Sequence, residues 1–159
     1  MSNRRLIVGI AMLVVLCLFA STAVWGEKCK RVNATMEAGP ILFDPDCDGF
    51  DVCQSADLMG TPNGVYTAFL NWDGIIEVDE TTIVNINIST IETNHGELFL
   101  DERLIFHTEA LNGFAVHSNV TGGTGKYEGA IGWMVSYLEF TEKKSTGLLR
   151  GEICFPDED

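Results

Sequence analysis

Beyond its first two dozen residues this chain has no apolar run long enough to cross a membrane, and no segment with a convincing helical period. Cationic residues are scarce. Ten Lys and Arg face 23 Asp and Glu, a net charge of −13. That balance argues against nucleic acid and anionic membrane surfaces as partners. Only 3 histidines are present, none at close spacing to the cysteines, which excludes a thiolate–imidazole zinc site. Proline is rare, at 4 of 159 residues, and no low-complexity linker or internal repeat divides the chain. No complete acid–base or nucleophilic set is visible, so the sequence does not define a reaction.

The first residues have the layout of an export signal. Arg4 and Arg5 precede a 15-residue apolar run, Leu6–Ala20, and Ser21-Thr22-Ala23 supplies small residues for cleavage. Residues 1–23 are therefore read as a signal peptide that is removed. The mature chain is read as secreted or periplasmic, with no membrane insertion after removal. Without residues 1–23 the chain keeps 8 of its 10 cationic and all 23 acidic residues, a formal charge of −15. Four cysteines remain, Cys29, Cys47, Cys53 and Cys154, and an even number in an exported chain points to disulfides. Three pairings are possible. Cys47–Cys53 with Cys29–Cys154 is the expected one, a short loop and a link between the two ends.

Residues 24–37 are polar and read as an extended arm ahead of one domain, 38–159. Strand patterns with turn signals between them fill that domain. Asp51–Met59 and Val65–Trp72 flank an Asn-Gly step at Asn63-Gly64, a hairpin signal. Thr82–Ile91, Glu97–His107, Phe114–Val120, Trp133–Thr141 and Gly147–Phe155 follow. The class is all-β, a closed barrel or a sandwich. Alternation assigns faces. Val84, Ile86 and Ile88 share one, expected inside, with Asn85, Asn87 and Ser89 outside. Leu98, Leu100, Leu104 and Phe106 share another, as do Phe114, Val116 and Val120. Trp133–Thr141 is apolar on both faces, which suggests cover by the N-terminal arm or a homo-oligomer contact.

Val120–Gly132, VTGGTGKYEGAIG, packs five glycines into 13 residues between two strand patterns. Its GGTGK resembles the end of a phosphate-binding loop. However, Val120 occupies the first glycine position, Tyr127 replaces the magnesium-binding Ser or Thr, and no helix pattern follows. The segment, with Gly122, Gly123, Thr124, Gly125, Tyr127, Gly129, Ala130 and Gly132, resembles the signature of the allene oxide cyclase-like and dirigent-like barrels. Fainter similarity extends over Phe50–Phe155. The resemblance implies a single eight-stranded antiparallel barrel of the calycin type, and it does not by itself imply an activity.

Glu102 is the leading candidate for chemistry, because it falls on the apolar face of Glu97–His107 and so points into a barrel. A buried carboxylate needs hydrogen bonds, a cation or a raised pKa. The resemblance adds weight, since the related cyclases use an interior glutamate. His107 and His117 are expected opposite each other across a hairpin near Asn112, on the outer face. Asp44, Asp46 and Asp48 form D-x-D-x-D-G, the first half of an EF-hand calcium loop, but Ser55 stands where its last ligand belongs. Asp51 or Asp57 is available to complete the set. Sequons occur at Asn33, Asn87 and Asn119, the last two expected outward.

Two functions compete. One is an exported non-catalytic barrel that binds a small apolar ligand or a partner protein. The other is a cyclase-like isomerase or dirigent-like coupling protein acting on an apolar substrate inside the barrel. No cofactor is required, with calcium as the exception to test. If Asp44, Asp46 and Asp48 hold calcium, chelation lowers the melting temperature and added calcium restores it, by about 2.7 kcal/mol at a 100-fold excess over Kd. An unchanged melting curve leaves only a disulfide-tied turn.

Overall fold

A computed structural model describes residues 28–43, 45–107, 113–140 and 144–156. The signal segment, Asp44 and Asn112 lie outside the described residues. Ten strands follow one another: β1 (Lys28–Ala38), β2 (Leu42–Phe43), β3 (Val52–Thr61), β4 (Gly64–Leu70), β5 (Ile75–Glu77), β6 (Thr82–Thr93), β7 (Gly96–His107), β8 (Gly113–Gly123), β9 (Ile131–Phe140) and β10 (Ser145–Phe155). Every pairing between them is antiparallel. The path β1-β10-β9-β8-β7-β6-β4-β3 returns to β1, so eight strands close into a barrel. Two short strands sit beside it: β2 on β3 and β5 on β6.

The residues read as an extended N-terminal arm are extended, but they form a barrel strand. β1 pairs with β10 along its whole length and with β3 over Asn33–Ala38. Its polar look reflects only its outer face. Val32, Ala34, Met36 and Ala38 alternate inward and are buried. It therefore does not cover β9, whose outer residues Ile131, Trp133, Val135 and Tyr137 stay 39–50% exposed.

Both disulfides form as expected. Cys29 and Cys154 face each other across β1 and β10, one step in from the Lys28–Phe155 pair, and Cys47–Cys53 ties the turn ahead of β3. The first closes a separation of 125 residues. In the loop-entropy model that stabilises by about 4–5 kcal/mol.

The glycine-rich segment closes one end of the barrel. Its short 3-10 turn, Gly125–Tyr127, drops the Tyr127 ring into the core beside Phe155, with centroids 6.1 Å apart. The β6–β7 hairpin folds against this turn: Lys126 N–H donates to the His95 carbonyl at 2.9 Å and Thr124 N–H to that of Glu97 at 2.8 Å. Gly96, at φ 128°, permits the approach, since a Cβ there would lie 2.1 Å from the Thr124 oxygen. Leu58, Ile91, Leu98, Leu149 and Met134 fill the barrel above this plug. Burying each such side chain contributes about 1.5–3 kcal/mol.

Candidate functional site

The register of β6 on β7 decides what the barrel holds. Leu98, Leu100 and Glu102 alternate on β7 and all point inward, each no more than 2% exposed. Directly cross-strand residues share a face. Asn87 is opposite Glu102, Ser89 opposite Leu100 and Asn85 opposite Leu104. Asn85, Asn87 and Ser89 therefore face inside and are buried, while Ile86 and Ile88 are about half exposed. This inverts the face expected for β6. Apolarity alone picked the wrong side, because the carboxylate on the neighbouring strand requires polar company.

Glu102 sits in a nest of donors. The Tyr66 hydroxyl (β4) donates to Oε2 at 2.6 Å and the Asn87 Nδ2 to the same oxygen at 2.9 Å. The Ser118 hydroxyl (β8), which pairs across from Glu102, donates to Oε1 at 2.6 Å. Ser89 lies beside both Glu102 and Tyr66, its hydroxyl without a well-formed hydrogen bond. Among the described residues no cation pairs with Glu102. Arg103 and Arg150 are exposed.

Burial lifts the Glu102 carboxyl above its usual range, against the pull of the Ser118, Tyr66 and Asn87 donors. Burial likewise pushes the Tyr66 phenol well above its ordinary value, and the neighbouring Glu102 charge adds to this. A neutral Glu102 suits the same frame. A proton on Oε1 donates to the Ser118 hydroxyl oxygen, and Oε2 still accepts from Tyr66 and Asn87.

Tyr66 also reaches the open end of the barrel. Ala56, Ala68, Leu70, Leu104, Phe114 and Leu138 line an apolar cavity of about 80 Å³ there, and Tyr66 forms part of its wall. Glu102 stands behind Tyr66, away from that lining. Asn85 donates its Nδ2 to the Asn71 carbonyl at 3.1 Å. The Oδ1 atoms of Asn85 and Asn87 are buried acceptors without a partner.

The other sequence candidates do not join this site. His117 pairs with Arg103 and His107 with Thr82, so the two histidines are not opposite each other. The β7–β8 register instead sets Phe106 across from Phe114. Asp46 and Asp48 are exposed. Asp51 is engaged elsewhere, its Oδ2 accepting from Trp72 N–H at 2.7 Å. Among the described residues one group has metal-ligand geometry, Cys29, Glu152 and Cys154, and its two sulfurs are already joined to each other. Asn87 is buried and bonded to Glu102, so its sequon is not outward; Asn33 is exposed and Asn119 half-buried.

Sequence reasoning missed Tyr66, Asn87 and Ser118. Ser118 was within reach: it interrupts the apolar face Phe114, Val116, Val120 just as Glu102 interrupts its own. Tyr66 and Asn87 needed the register.

No protein-family model matches this sequence, and no curated protein does. Among solved structures the chain is similar to the pterocarpan synthase dirigent protein PsPTS1, at 15% identity and a TM-score of 0.47, over 82% of this chain and 97% of that one.

The raised pKa fixes the sign of a pH effect. An unfolded glutamate titrates near ~4.3 and the folded Glu102 above that. Its folded state therefore binds the proton more tightly, and the stability this adds is full below ~4.3 and lost as pH rises through the folded pKa. Glu102→Gln keeps the three hydrogen bonds, with its amide donating to Ser118. Denaturant unfolding of Glu102→Gln is expected to match or exceed wild type at neutral pH, with the difference shrinking toward pH ~4. A loss of about 3–5 kcal/mol instead would mean that the structure depends on the charge.

Proposed function

We propose that this is an exported, non-catalytic β-barrel that binds a small apolar ligand through its open end. The observation that carries the reading is the apolar cavity whose wall includes Tyr66, a group tied to a buried, uncompensated carboxylate. Pockets for drug-sized ligands run to about 300–1,000 Å³. The present cavity of about 80 Å³ suits a narrow ligand or the end of a longer one. The apolar walls supply affinity and the Tyr66–Glu102 pair a polar reference point. Export is supported by the signal-like residues 1–23 and by the two disulfides, which persist in oxidising compartments.

One observation favours a second reading, that of an isomerase or coupling protein. Tyr66 touches both the cavity and Glu102, so a proton on the phenol has a carboxylate behind it. A linear alkanol series, followed by Tyr fluorescence or calorimetry, tests both. Micromolar binding that Leu104→Trp blocks and Glu102→Gln leaves intact supports the binding protein. Loss of turnover on an apolar epoxide or phenol in Glu102→Gln, with binding unchanged, supports the enzyme. No binding by any member sinks both.

The outer face of β9 supports self-association. Ile131, Trp133, Val135 and Tyr137, with Leu148 of β10, expose apolar surface in a strongly acidic chain. Such a patch suits contact with a second copy, where it meets itself. Sedimentation is expected to give an oligomer that Trp133→Asp with Tyr137→Asp converts to monomer. A monomeric wild type at high micromolar concentration refutes this contact.

A further inference from the structure

The few cations of this chain are not spread evenly. Seven lie among the described residues, and four of them, Lys28, Lys30, Arg31 and Lys126, gather at the closed end of the barrel. The fold brings them together from distant parts of the sequence. Lys28 and Lys30 alternate on one face at the start of β1, while Lys126 rides on the 3-10 turn of the glycine-rich segment. That turn is held by the Lys126 N–H bond to His95.

Lys28, Lys30 and Lys126 line an open groove of about 530 Å³ together with Phe155, Pro156 and Glu128. Lys30 and Lys126 also line a smaller adjoining cleft, about 50 Å³, with Arg31. All four cations are exposed. Among the described residues the one ion pair belongs to Lys144 and Glu37, at 2.9 Å, so none of the four is neutralised by such a pair. Lys30 Nζ instead stands 5.5 Å from the centroid of Phe155.

We infer that this end of the barrel is a binding site for an acidic polysaccharide, a chain of sugars bearing carboxylate or sulfate groups. The groove requires a ligand with several negative charges spaced along its length, met by Lys28, Lys30, Lys126 and Arg31. It also offers Phe155 and Pro156, apolar surfaces that suit the C–H faces of sugar rings. The formal charge of −15 on the exported chain works against any polyanion. At physiological ionic strength, however, charges more than about 8 Å away are largely screened, so the local cations dominate at contact. A nucleic acid, with its much denser line of phosphates, meets more of the acidic surface as it tracks past the groove. Glu128, which lines the groove, limits the affinity.

The test is binding of the full exported chain to labelled polygalacturonate and dextran sulfate at about 0.15 M salt, beside neutral dextran and single-stranded DNA. Saturable binding of the acidic polymers and none of neutral dextran is expected. Lys30→Ala with Lys126→Ala is expected to weaken it at least about tenfold, with Lys28→Ala as a milder second variant. Arg103→Ala with Arg150→Ala, on the barrel wall, should leave it within about twofold, and Glu128→Gln should strengthen it. Melting curves check that each variant folds. The site is overturned by absence of saturable binding, by equal losses in the two double variants, by weakening in Glu128→Gln, or by DNA binding as tightly as the sugars.

Discussion

The structure depends on β1 finding two partners. A strand at the edge of a sheet leaves a row of unpaired amides and carbonyls. Here β1 satisfies one row against β10 and, over Asn33–Ala38, the other against β3. Closure creates an inside, and an eight-stranded inside is just wide enough for side chains to fill. The close approach of β1 and β3 is helped by Gly60, φ 140°, opposite Ala34. The burial of Glu102, the cavity and the apolar outer face all follow from having one interior and one continuous exterior.

That interior is divided along the barrel axis. At the closed end Tyr127 and the aliphatic layers fill the core. Midway, Glu102 with Tyr66, Asn87, Ser89 and Ser118 replaces apolar packing by a polar cluster. At the open end apolar side chains return around a small cavity. Polar groups in such a place are tolerable only when they satisfy one another. Three donors do so for Glu102, yet the Asn85 and Asn87 Oδ1 atoms stay unmet. A core built for stability alone would be aliphatic at these positions.

The exterior is divided as well. Ile86, Ile88, Trp133, Val135, Tyr137 and Leu148 present apolar side chains on the barrel wall. The cations collect at the plugged end instead. An acidic chain thus carries apolar side chains on its wall, interspersed with charges such as Arg103 across from Ile86 and Arg150 across from Val135, and a group of cations at one end.

Much of this was legible in the sequence, and the part that was not has a common cause. Period-2 alternation located β3, β4 and β6–β10 to within a few residues, because side chains of a strand must alternate. The glycines between β8 and β9 marked the tight junction, and the cysteine spacing indicated both disulfides. Alternation carries no sign, however: it says that two faces exist, and which one is inside depends on the neighbouring strand. On β7 the leucines answered that correctly and exposed Glu102. On β6 the isoleucines answered it wrongly, since Asn87 had to follow Glu102. The same dependence hid β1, whose polar outer face masked four inward residues until partners on both sides made it a wall. Local patterning of the chain determined the strands, the turns and the buried carboxylate. Tertiary pairing alone decided which polar residues join it and which cations meet at the barrel's end, because both sets come together through register and closure across residues far apart in sequence.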